Sequence, residues 1–107
     1  MSGNKKLVRQ NFRDSVFKRD RNKCVFCAQT ENLIVHHITE RNLMPFGGYI
    51  KENGISLCPD HLNMAESYHH SNGEEYSPGF HPKELYRKIG SSFEIAQKAS
   101  KRLERYS

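Results

Sequence analysis

The chain has no tryptophan, only four prolines and three cysteines. Without tryptophan, and with 36% hydrophobic residues, 107 residues can build only a thin core in one small domain. Chains of this size commonly add a metal or disulfides to hold such a core. Three cysteines cannot all pair within one monomer, which argues against a disulfide scaffold. No apolar run approaches the roughly 20 residues needed to cross a bilayer, so no membrane partner is expected. Residues 1–11 are polar and basic rather than a signal peptide. Thiolate–metal bonding in a reducing cytoplasm is the expectation.

The formal charge is +5, unevenly spread. Residues 1–23 carry +6, residues 24–97 carry −4 and residues 98–107 carry +3. Basic ends around a mildly acidic middle suggest polyanion contact at the ends and special chemistry between them. Residues 1–10 read as a flexible basic arm, 11–70 as the core, and 71–107 as a polar loop with a helical extension of the same domain.

Phe12, Val16 and Phe17 fall at helical spacing, predicting a helix over about 11–20. Leu33 to Ile38 reads as a strand and Ile55-Ser56-Leu57 as a second. Between them, Pro45, Gly47-Gly48 and Asn53-Gly54 are loop signals. Cys58-Pro59-Asp60-His61 leads into a helix through about Tyr68. Pro82 opens a helix to Ile89, which Gly90 ends. Ser91-x-x-Glu94 resembles a capping box for a last helix. Ile95, Ala99, Leu103 and Tyr106 give that helix an apolar stripe for packing. The expected class is α+β: two strands and a helix, with one helix before and two after.

Cys24-x-x-Cys27 and Cys58-x-x-His61 form two halves of a Cys3His set. A two-residue gap lets both ligands of a half reach one ion, and zinc prefers four such ligands in a tetrahedron. Isolated buried cysteines would explain one position but not the paired spacing.

Between the halves stands Val35-His36-His37-Ile38. Hydrolysing a phosphodiester needs a base for water and positive charge on the phosphoryl oxygens, which one imidazole and one divalent ion can supply. An unperturbed histidine titrates near 6.5, close enough to neutrality for such work. Together with the leading helix, the knuckle, Asn53-Gly54-Ile55-Ser56-Leu57-Cys58 and Ala65-Glu66, this stretch resembles the HNH, or ββα-metal, nuclease family over about residues 11–68. The resemblance implies a small ββα-metal core braced by structural Zn²⁺ on Cys24, Cys27, Cys58 and His61. It implies His36 as ligand to a catalytic Mg²⁺ or Mn²⁺, His37 as general base and Asn53 as the loop brace that positions it.

The chain departs from the family after His61. Relatives often carry a metal-binding histidine there; this chain has Leu62. Asn63 follows and offers an oxygen suited to a hard ion. One helical step is about 100°, so Asn63 does not inherit the position directly. Asn63 after a helix shift, water in its place, an impaired site, or His61 turned to the catalytic ion all remain open. Glu40 and Glu66 are candidates to orient a histidine. His69-His70 reads as a solvated pair, about two turns beyond His61.

The implied function is a metal-dependent endonuclease hydrolysing DNA, with RNA open because the chemistry is shared. Arg13, Lys18, Arg19, Arg41, Lys101 and Arg102 are the candidate backbone contacts. Two alternatives stand beside it. One is a zinc-braced nucleic-acid-binding module without cleavage, favoured by Leu62. The other is a protein-binding adaptor using the last helix. A viral or mobile-element origin is an association with small size only, and oligomeric state is not legible.

Overall fold

The computed structural model describes residues 2–106. Helix α1 spans Ser2–Arg19 and strand β1 Ile34–His37. Three short 3-10 turns follow, at Arg41–Leu43, Pro45–Gly48 and Lys51–Asn53. Strand β2 is Gly54–Leu57, then come α2 (Pro59–His70), α3 (Pro82–Lys88) and α4 (Phe93–Lys101). A last 3-10 turn covers Arg102–Tyr106. The molecule is a small α+β protein with four helices and one antiparallel two-stranded sheet. Among the described residues no helix is long and apolar enough to cross a membrane.

The register sets His36 opposite Ile55 and His37 opposite Gly54. Alternation then sends successive side chains to opposite faces. Ile38, Ile55, Leu57, Leu85 and Ala96 fill the core with Phe80 and Tyr86. On the other side Phe12 and Val16 of α1 press directly on Gly54. A Cβ there would lie 2.6 Å from Val16 and 2.8 Å from Phe12, so only glycine admits the helix at this distance.

Several expectations change. Residues 2–10 are helical rather than an arm, because Lys, Leu, Arg and Gln are good helix formers and half-buried Val8 extends the Phe12 face by a turn. Met1 lies outside the described residues. The α4 cap is Ser92, whose hydroxyl accepts from the Ile95 N–H at 3.1 Å, and not Ser91. A reciprocal capping box occurs instead at His81 and Glu84 of α3. The buried face of α4 is Ala96, Ala99 and Ser100, continued by Leu103, while Ile95 is exposed. The Tyr106 side chain lies outside the described residues.

Candidate functional site

The two cysteine–histidine halves converge. The Sγ atoms of Cys24, Cys27 and Cys58 and one ring nitrogen of His61 all lie within 4.8 Å of one another. His61 turns Nδ1 inward, 3.1 Å from Cys58 Sγ and 3.6 Å from Cys24 Sγ. The set can hold a metal such as zinc. Burial pushes the Cys24 thiol up, but backbone N–H groups of Cys58, Cys27 and Phe26 outweigh it and bring it down to about 6. Donors aimed at sulfur favour the thiolate, the form that binds metal. Phe26 stacks on both His61 and Phe80, which walls the cluster off from one side. With His61 committed here, it is not turned toward the histidine pair.

A cleft of about 740 Å³ opens on the far side of β1. His36, His37, Glu40, Arg41, Tyr49, Glu66 and His69 are among the residues that line it. His36 is buried and places Nδ1 3.3 Å from Glu66 Oε1 on α2. That contact holds the Glu66 carboxyl below its ordinary range against the opposing effect of burial. His69, one turn after Glu66, stacks on His36 with ring centroids 5.1 Å apart. Its Nε2 donates to the His37 carbonyl at 3.0 Å, and its Nδ1 faces Glu40 Oε1 at 3.3 Å. His69 is therefore part of the cleft and not solvated, whereas His70 is exposed.

The His37 ring lines the same cleft from its α1 side. It lies 4.7 Å from the Phe12 ring and edge-on to Tyr49 at 5.1 Å. Burial, and then the nearby His36, Arg41 and His69, push its pKa down to about 4. The imidazole is thus neutral across the neutral range, and its Nε2 is buried without a hydrogen-bond partner. A phosphate anion drawn into the cleft would raise the affinity of this ring for a proton.

Asn53 does not line the cleft. It is fully buried, and its Oδ1 accepts from the Thr39 N–H at 2.9 Å and from the Tyr86 hydroxyl at 2.7 Å. Its Nδ2 donates to the Thr39 carbonyl at 3.0 Å and the Gly48 carbonyl at 3.3 Å. Asn53 is a brace that ties the loop after His37 to β2. Burial pushes Tyr86 up to about 12, so its hydroxyl stays a donor.

Two expected site residues fall elsewhere. Asn63 is exposed and absent from the cleft; it lies on α2 one turn before Glu66, nearer the zinc knuckle. Arg19 is spent on structure: it grips Asp20 through two contacts of 2.8 Å and donates to the Lys51 and Gly54 carbonyls. Asp20 in turn accepts from the Ser56 N–H. Arg41 is exposed at the cleft mouth and donates to the Tyr49 hydroxyl at 2.9 Å. Arg9, which spacing alone did not single out, lies over the same Tyr49 ring at 5.4 Å. Arg13, Lys18, Lys101 and Arg102 are exposed.

No known family model, curated protein or solved structure matches this chain.

Proposed function

We propose that the protein is a metal-dependent endonuclease of the HNH, or ββα-metal, class, acting on DNA. The observation that carries this reading is one cleft in which a neutral, half-buried His37 adjoins buried His36 facing the Glu66 carboxylate. His36 Nδ1 and Glu66 Oε1 pair an imidazole nitrogen with a hard oxygen, a donor set that fits Mg²⁺ or Mn²⁺. Glu66 thus takes the place that Asn63 was expected to fill. A divalent ion held there by His36 and Glu66 would supply positive charge to the phosphoryl oxygens.

His37 accepts the proton of the attacking water. The water oxygen bonds to phosphorus as the P–O3′ bond breaks, and O3′ takes a proton from solvent, leaving a 5′-phosphate and a 3′-hydroxyl. His69 fixes the backbone at His37 through its carbonyl and is itself anchored by Glu40. Arg41 and Arg9 draw the strand to the mouth of the cleft. Zinc held by Cys24, Cys27, Cys58 and His61 would tie the knuckle to the start of α2, which carries Glu66 and His69.

Nicking of supercoiled plasmid that requires added Mg²⁺ or Mn²⁺, and is lost in His37→Ala, tests the reading. A second reading, a zinc-braced DNA-binding module, is favoured by Leu62, which packs against the core and offers no ligand. Salt-sensitive plasmid binding without nicking under any metal condition would select it.

A further inference from the structure

The loop between the strands holds an aromatic side chain out of the molecule at a cost in backbone conformation. Phe46 has φ 53° and ψ 26°, the left-handed region that L-residues with large side chains avoid. The residue is 47% exposed. Such an outlier persists only when its surroundings over-determine it.

Here they do. The Pro45 carbonyl accepts from the Ser100 hydroxyl of α4. Met44 is buried, and its carbonyl accepts from the Gly47 N–H at 3.2 Å. The Gly48 carbonyl accepts from Asn53 and from the Ile50 N–H. Gly47, at φ 88°, lies so close to the Tyr49 ring that a Cβ would stand 2.7 Å from it. Contacts run without a break from His37 to Tyr49 to Gly47, and Phe46 is the next residue. Arg41 and Arg9 both bear on Tyr49. An exposed ring on a hydrogen-bonded loop, one residue from the Gly47 that lines the cleft, has the chemistry of a nucleobase-stacking surface.

We propose that Phe46 is a wedge that stacks on, and partly unstacks, a base step of duplex DNA next to the phosphate held in the cleft. The proposal rests on the reading of the cleft as a DNA site, but its test does not require cleavage. Full-length His37→Ala protein with zinc is titrated onto short duplexes carrying 2-aminopurine at successive positions. Fluorescence should rise at one base step as the probe unstacks. Adding Phe46→Asn should abolish the rise and weaken binding about 5- to 150-fold, the range for losing one aromatic–base stack. Asparagine tolerates the left-handed backbone, so this variant should melt no lower than its parent. Phe46→Trp should restore binding.

An unchanged affinity and fluorescence profile in Phe46→Asn overturns the proposal. So does a lowered melting temperature in that variant with binding lost only in proportion to unfolding, which would make the ring structural. Plasmid nicking by the parent protein, scored separately, decides the nuclease reading: nicking with no effect at Phe46 would overturn the wedge alone.

Discussion

Replacing Asn53 by alanine should be among the most damaging single changes in the molecule. It removes four hydrogen bonds from a fully buried site: two accepted from Thr39 and Tyr86, and two donated to Thr39 and Gly48. At roughly 1 kcal/mol net for each bond, the loss is about 4 kcal/mol. A domain of this length has only about 5–15 kcal/mol in total. Each kcal/mol moves the melting temperature of such a domain by roughly 4 °C or more, so Asn53→Ala should melt about 15 °C or more below the parent. Tyr86→Phe removes one of the four bonds and the Thr39 Oγ1 contact, and should cost about 1–2 kcal/mol. Asn53→Asp keeps the acceptor but turns a buried carboxylate oxygen toward two carbonyls, and should rescue nothing. Thermal melts with excess zinc, followed by circular dichroism, measure all three. An Asn53→Ala protein melting within about 3 °C of the parent would refute the account of the loop brace.

Four further outcomes follow from the same geometry. Glu66→Gln should raise the Mg²⁺ or Mn²⁺ concentration for half-maximal nicking about 10- to 100-fold, while Asn63→Ala leaves it unchanged; metal titrations of plasmid nicking compare them. Arg19→Ala should lower stability by about 2–4 kcal/mol, since Arg19 bonds Asp20 and two backbone carbonyls. Arg41→Ala should leave the melting temperature in place but weaken DNA binding and flatten its log–log salt slope by about 1, read by fluorescence anisotropy. A zinc chelator, or Cys58→Ala, should unfold or loosen the domain, because binding energy at such a cluster is folding energy; an unaltered melt in chelator would contradict that role.

The knuckle was legible because its information is local: a two-residue gap in each half is enough to aim both ligands at one point. The strand–strand–helix order was legible for the same reason, with strand ends misjudged by a residue. Glu40 and Glu66 were legible as candidates to orient a histidine, and they pair with His69 and His36, but which histidine each would meet was not. Glu66 and His69 become neighbours of His36 only once α2 is laid against β1, and nothing along the chain fixes the rotation of that helix. Asn63 was favoured by nearness to His61 in sequence, but it sits a turn before Glu66 and outside the cleft. Arg19 looked like one more cation in a basic stretch, yet the adjacent Asp20 and the carbonyls at Lys51 and Gly54 claim it. Phe46 carried no periodic signal at all; its meaning lies in a backbone angle.

The central claim is that His37 is the base of a metal-dependent phosphodiesterase. The most direct measurement is nicking of supercoiled plasmid at low salt by the parent protein and His37→Ala. Each is assayed with zinc alone, then with Mg²⁺ or Mn²⁺ added, and the nicks are tested for resealing by DNA ligase. The account predicts nicks only with the parent protein and an added divalent ion, with ends that ligase reseals. Equal nicking by His37→Ala, or nicking that needs no added ion, would contradict it.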